Sequence, residues 1–380
     1  ASGEVHIAKS LTTPADPSVG VLMGVNAFNE VTANHIAATR RIAHATTLVA
    51  NAVIERKGAL TALLTTKGFR DVLELRRHVR VTTYELWADP PEPLVPRWLR
   101  LPINERVFAD GHVLKEVEPS DVAKVVLLLQ AEGVTSVAIS FLHSYANADN
   151  ERKVSELLQN LIPDIAVTCS FEVLPQIKEY ERTSTTVVNA YVKPLTRTYL
   201  ANLEKGLVEK GYNAALNIML SNGGLGSIAT AAEFPIRLIE SGPVAGAIVG
   251  RELAMALGHS DVLSFDMGGT TAKMGLIKDG KPTVSDNFEI GRVHRFKKGS
   301  GLPVKIPTIE LIEIGAGGGS IAHVDELGLL KVGPESAGAD PGPACYEKGN
   351  NSPTVTDANL VLGIINPENF LGGRMKLNKE

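Results

Sequence analysis

Residues 262–280 read VLSFDMGGTTAKMGLIKDG, and this stretch decides how the chain is read. An apolar strand delivers Asp266, the backbone turns at Gly268-Gly269, and a second strand leaves through Thr270, Thr271 and Lys273. Tandem glycines let a backbone turn tightly and come close to a ligand. Amides freed in such a turn, together with threonine hydroxyls, suit phosphate oxygens. Gly268, Gly269, Thr270 and Thr271 are therefore candidate phosphate-binding residues. Asp266 is the candidate metal ligand and a candidate catalytic residue, because Mg²⁺ takes one or two carboxylates alongside phosphates. A strand follows the glycines, so the loop is a hairpin tip carried on a buried strand. A Walker loop, by contrast, opens a helix.

Two further glycine-rich stretches flank this one. Residues 313–325 read EIGAGGGSIAHVD. Its loop lets a base, ribose or phosphate approach, which makes Gly317, Gly318, Gly319 and Ser320 candidate nucleotide-binding residues. Residues 239–250 read IESGPVAGAIVG, a strand-to-helix turn. Gly242 is expected to take the special backbone angle and Pro243 the first helical position. The helix end is an anion site, with Ser241 and Gly242 as candidate nucleotide-binding residues and Glu240 as a candidate catalytic residue. Ser221–Gly224 (SNGG) reads as a turn after a strand. In GADPGPACY, Gly338–Tyr346, Asp340 is either a ligand or a helix cap.

Strand and helix patterns alternate through the remaining sequence. EVHIAKSL reads as a strand, SVGVLMGVNAFNEV as a helix and ALTALLTT as a buried strand. INERVFADGHVLKEV has the look of a hairpin around Asp110-Gly111. PSDVAKVVLLLQAEG reads as a helix capped by Ser120, VTSVAISFLH as a buried strand and NADNERKVSELLQNLI as an amphipathic helix. DIAVTCSFEV is expected to be another strand, and residues 181–210 a long helix broken at Pro194. Such alternation argues an α/β fold with a mixed or parallel sheet, divided near 175–200.

The 380 residues, 44% hydrophobic and 21% charged, have ordinary globular composition. The net charge of −4 lacks the basic excess of a nucleic-acid binder. Two cysteines, Cys169 and Cys345, exclude a disulfide framework and read as structural thiols. No apolar run approaches the ~20 residues of a membrane helix, so a soluble cytoplasmic protein without a membrane partner is expected. His44, His143 and His323 show no metal-binding spacing, and no G-x-S-x-G elbow occurs.

In order along the chain, HATTLVANAVIERKG, LLTTKGFRDVLEL, EYERTSTTVVNAYV, SNGG, ESGPVAGA, DMGGTTAK, IEIGAGGGSIAHVD and TVTDANLVLG resemble the ATP-binding subunits of the hydantoinase A/5-oxoprolinase family. The resemblance covers nearly the whole chain. It implies α/β nucleotide-binding domains of the actin/hexokinase/Hsp70-like (ribonuclease H-like) type, incomplete at both ends. Residues 1–180 would be the N-terminal domain, with the family's first phosphate loop missing upstream, and 181–380 the hydantoinase A domain. It implies ATP and Mg²⁺ as cofactors, a small cyclic amide as substrate, and a hydantoinase B-type partner subunit in an oligomer. It implies activity as an ATP-dependent cyclic amidohydrolase, with ATP phosphorylating the amide oxygen. The alternatives are a subunit of an ATP-dependent acetone or acetophenone carboxylase, a sugar or acyl kinase, and a non-catalytic nucleotide-binding assembly subunit.

Overall fold

The computed structural model describes residues 5–10, 13, 15–32, 36–78, 84, 87, 90–269, 271–292 and 297–380. Helix α1 (Pro17–Val31) precedes strand β1 (Arg41–His44) and helix α2 (Leu48–Ile54). Asp16 caps α1 by accepting the Ser18 amide. Next come β2 (Thr61–Thr66), the short α3 (Val72–Leu75), β3 (Arg100–Ile103) and the hairpin of β4 (Arg106–Val107) with β5 (Val113–Lys115). They are followed by α4 (Pro119–Ala131), β6 (Ser136–Ser140), α5 (Asp149–Leu161), β7 (Ala166–Cys169) and α6 (Ser170–Val173). Strands in the order β3-β2-β6-β7 make one wholly parallel sheet. β2, β6 and β7 are buried along their full length, as parallel strands covered on both faces must be. Ser136 and Ser140 of β6 bond to helix α7 (Glu179–Glu209). By alternation, Val137 and Ile139 point the other way.

The remaining elements are β8 (Ala215–Met219), β9 (Leu225–Ser227), α8 (Ile228–Glu233), α9 (Ser241–Ala256), β10 (Val262–Met267) and β11 (Ala272–Lys278). Short strands follow: β12 (Lys281–Pro282), β13 (Val284–Ser285), β14 (Phe288–Ile290), β15 (Leu302–Val304) and β16 (Thr308–Ile309). The last are β17 (Leu311–Ile314), β18 (Ser320–Val324), β19 (Leu330–Ser336) and α10 (Val355–Val361). β1 pairs in parallel with β8 across some 170 residues of sequence. β10, β11 and β17 form an antiparallel sheet. Helix α9 covers one face of it, where Gly275 and Gly250 let Ala247 and Ser264 come close.

Helix α7 joins the two parts. Val187 and Ala190 belong to the core of the parallel sheet. Val188, Tyr191, Val192, Tyr199 and Leu200 belong to a second core with α2 and the Pro235–Leu238 turn. The expected break at Pro194 does not occur. Proline there removes the N–H that would bond the Ala190 carbonyl, and the Ser136 hydroxyl of β6 donates to that carbonyl instead at 2.7 Å. The Ala59 amide likewise bonds the Tyr191 carbonyl at 2.8 Å. A long-range donor set keeps the helix continuous.

Other expectations are corrected. His6–Ser10 form no strand, and residues 1–4 lie outside those described. Strand β7 ends at Cys169, because the buried Glu151 carboxylate accepts the Ser170 hydroxyl and the Phe171 amide and turns the chain into α6. Ser120 lies inside the first turn of α4; Glu118 is the N-cap and Pro119 opens the helix, where its fixed φ fits. Asp340 is not a cap: Asp357 accepts the amides of Ala344 and Cys345. Both thiols are buried and free.

Candidate functional site

Strands β10 and β11 form the expected hairpin, with the Gly268 amide donating to the Thr271 carbonyl at 2.9 Å across the tip. Thr270 lies outside the described residues. β10 is not the buried strand the sequence suggested: Asp266, Met267, Gly268 and Gly269 are all exposed. No atom lies within 4 Å of where a side chain on Gly269 would begin, so the tip faces open space. Asp266 stands across from Lys273 on β11, and Lys273 stands across from Glu313 on β17. The three residues Asp266, Lys273 and Glu313 therefore occupy one row of the sheet.

Lys273 is ion-paired with Glu240, and both side chains are largely buried. Glu240 is the N-cap of α9 and takes the left-handed conformation, φ 60°. That backbone is costly for a non-glycine residue, and the ion pair offsets the cost. This corrects the expectation that Gly242 carries the special angle. The helix starts at Ser241, so Pro243 is its third residue. Gly242 is needed for closeness: a side chain on it would begin 3.3 Å from the Thr47 methyl. Ser241 ties the helix end to the loop after β1. Its hydroxyl accepts the Thr46 amide at 3.0 Å and donates to the Thr46 carbonyl at 2.8 Å.

The loop of Gly317, Gly318, Gly319 and Ser320 lies against the hairpin tip. The Gly318 amide donates to the Gly268 carbonyl at 2.9 Å and the Gly319 amide to the Gly269 carbonyl at 2.7 Å. The Gly317 amide donates to the Ser320 hydroxyl, and the Ser320 amide to the Gly317 carbonyl. All four amides are thus used inside the protein. A side chain on Gly318 would begin 2.7 Å from the Thr356 hydroxyl, and one on Gly319 would begin 2.9 Å from that of Ser336. Glycine here lets backbone pack on backbone, and the loop buttresses the phosphate-loop candidate.

The structure therefore links four segments: loop 315–320, the hairpin tip, the start of α9 and the loop after β1. Sequence reasoning missed Lys273, although it directly follows the DMGGTTA run. It also gave His44 no role, noting only its lack of metal-binding spacing, and passed over Thr46. Residues 45–47 directly follow β1, and the loop at a strand's carboxyl end is where open α/β sheets bind ligands. His44 Nε2 lies 2.8 Å from the Tyr199 hydroxyl. Burial pushes the imidazole down to about 4 and the phenol up to about 12. Among the described residues no group of three or more His, Cys, Asp or Glu side chains could by itself hold a metal ion. No helix among them is long and apolar enough to cross a membrane.

Comparison with known proteins shows the family and the fold. The hydantoinase/oxoprolinase model matches residues 182–380, and the model of the hydantoinase/oxoprolinase N-terminal region matches residues 1–162. An uncharacterised protein of Methanocaldococcus jannaschii is 44% identical over all of this chain and 56% of its own length. The caprolactamase alpha subunit of Pseudomonas jessenii is 36% identical over all of this chain and 54% of its own. The crystal structure of that ATP-dependent caprolactamase superposes with a TM-score of 0.83, at 36% identity, over 99% of this chain and 54% of the other. Nucleotide-free acetone carboxylase superposes with a TM-score of 0.79, at 28% identity, over 98% of this chain and 53% of the other. The chain shares their mixed α/β fold and spans about half the length of these relatives. With both models matched in order along its length, the chain belongs to the hydantoinase/oxoprolinase family.

Proposed function

We propose that the chain is the ATP-binding part of an ATP-dependent enzyme that opens a cyclic amide by phosphorylating the amide oxygen. The observation that carries this reading is the hairpin tip. Asp266 is the penultimate residue of its strand, Gly269 faces open space, and Lys273 stands across from Asp266 in the register of the hairpin. Phosphoryl transfer asks a protein mainly for positioning and charge neutralisation. Gly268, Gly269, Thr270 and Thr271 would hold phosphate oxygens. Lys273 would balance their charge, kept in place by Glu240. One exposed carboxylate at a phosphate loop fits Mg²⁺, which keeps most of its shell as water and phosphate. Asp266 would hold it, and the bound ion would neutralise charge on the transferring phosphoryl group.

An amide carbon is a poor electrophile because resonance feeds it electrons. Transfer of the γ-phosphoryl group to the amide oxygen, with ADP leaving, turns that oxygen into part of a leaving group. Water can then add to the carbon, the ring nitrogen take a proton and leave as the C–N bond breaks, and a second water release inorganic phosphate from the acyl phosphate to give the carboxylate. The two-domain actin/hexokinase/Hsp70-like arrangement, divided near residue 180, is part of the proposal. It is supported by the parallel pair β1–β8, the hairpin β10–β11, and α7, which begins at that division and serves both cores. Gly317–Ser320 would border the nucleoside through their outer surface, since their amides are occupied. The name of the caprolactamase alpha subunit supports a complex of several subunits; a B-type subunit as the partner and a cytoplasmic location are parts of the proposal.

Titration of Mg²⁺-ATP into the protein and its Asp266→Ala variant by calorimetry tests this reading. Binding is expected in the first and lost in the second; equal binding would remove Asp266 from the site. A second reading, part of an ATP-dependent ketone carboxylase, is favoured by the likeness to acetone carboxylase. Stimulation of ATP hydrolysis by acetone or acetophenone with bicarbonate, and not by hydantoin or 5-oxoproline, would select it. A stably phosphorylated product would instead select a kinase.

A further inference from the structure

A cleft of about 500 Å³ opens between α1, the loop after β1 and the start of α9. It is within the ~300–1,000 Å³ usual for small-molecule sites and lies at the carboxyl end of β1, where α/β sheets bind ligands. Its polar groups include His44, Thr46, Thr47, Asn51 and Tyr199, and Gly242 of α9 borders it. None of the described residues lining it is Asp, Glu, Lys or Arg. The Tyr199 hydroxyl adjoins His44 Nε2 and the Thr46 side chain. The imidazole and phenol are both neutral at pH 7, since burial moves the first down to about 4 and the second up to about 12.

Resting on the ATP-dependent reading above, we propose that this cleft receives the substrate ring and selects an uncharged cyclic amide over an anionic one. A neutral amide offers one carbonyl acceptor and one N–H donor. Hydroxyls, imidazole and a carboxamide match both without any charge. A carboxylate in the same place would lose water and meet no cation, which is costly. Donors that an anion could use at the start of α9, the Ser241 hydroxyl and the Thr46 amide, are already bonded within the protein. The cleft also sits beside the phosphate-loop candidate: Ser241 joins the cleft loop to α9, and Glu240 joins α9 to Lys273. The ring would thus lie on the same helix end that faces the hairpin.

The test is direct binding to the full-length protein at pH 7.5, with ε-caprolactam as the neutral ring and 5-oxoprolinate as the anionic one. Calorimetry or ligand-observed NMR is expected to show the lactam binding at least tenfold more tightly. Tyr199→Phe should weaken the lactam about tenfold. Asn51→Lys, a change at an exposed position, should shift the preference toward 5-oxoprolinate. Tighter binding of 5-oxoprolinate by the unmodified protein, or lactam binding unchanged in both variants, would overturn the proposal. Mg²⁺-ATP titrated into the same samples separates the two readings. ATP binding that depends on Asp266, with lactam binding indifferent to the cleft variants, removes the cleft alone. Lactam binding that follows the variants without any ATP binding removes the ATP reading alone.

Discussion

The two sheets of this protein obey different rules. In the parallel sheet, β2, β6 and β7 are buried throughout, and their segments read as unbroken apolar or small-residue runs. In the sheet of β10, β11 and β17, only the α9 side is covered. On the other side Leu263, Phe265, Leu276 and Ile312 are each more than half exposed. Those residues share a face, since Leu263 pairs with Leu276, and Met274 pairs with both Phe265 and Ile312. The first sheet is a scaffold closed on both faces. The second holds the candidate chemistry at its tip and keeps one face open. Stability should therefore reside in the first, and ligand dependence in the second.

The strongest test of that contrast is a pair of truncations. Ile139→Ala in β6, fully buried, should cost about 2–5 kcal/mol in chemical denaturation. Phe265→Ala in β10 should cost less than about 1 kcal/mol. Equal losses would dissolve the distinction. Next in size is the donor that carries α7 through its proline. Ser136→Ala leaves the buried Ala190 carbonyl without that partner and should cost about 1–3 kcal/mol. In a Pro194→Ala background the restored helix N–H should make most of that loss disappear, as a double-mutant cycle would show. Lys273→Ala in the open sheet should weaken Mg²⁺-ATP binding on the order of tenfold, over and above the stability lost when Glu240 is left without its ion pair. A large stability loss with unchanged ATP affinity would make Lys273 a structural residue.

The smallest effect sharpens the boundary between the regions. His44 titrates near 4 when folded against 6.5 when unfolded, so the unfolded state binds the extra proton first. Its contribution is intact above pH 6.5 and is lost as pH falls toward 4. The side chain is only half-buried, so solvent screening trims the effect to on the order of 1 kcal/mol. His44→Gln should flatten the stability profile between pH 6.5 and 4. An unchanged profile would assign the acid sensitivity elsewhere.

Much of this was legible in residue order. The hairpin around Gly268-Gly269, the buried strands β2 and β6, and helices α4 and α5 follow from local periodicity and turn chemistry. The misses share a cause: partners distant in sequence. Pro194 looks like a helix breaker until Ser136, 58 residues earlier, supplies its donor. Glu240 takes a backbone angle expected of Gly242 because Lys273 reaches it from another strand. Gly318 and Gly319 stay candidates to border a nucleoside, but their amides, which the sequence left open to a ligand, serve the carbonyls of Gly268 and Gly269. The exposure of β10 could not be read from its apolar residues, because sequence shows what a strand could bury and not what covers it.

Helix α7 carries one further consequence. Because successive residues, Val187 and Val188, enter different cores, neither core can loosen without releasing a wall of the other. Opening events that expose amide hydrogens in β6 should therefore also expose those in β8 and α2. These elements should exchange with deuterium in step, as one cooperative unit. The hairpin of β10 and β11, outside that unit, should exchange earlier and separately.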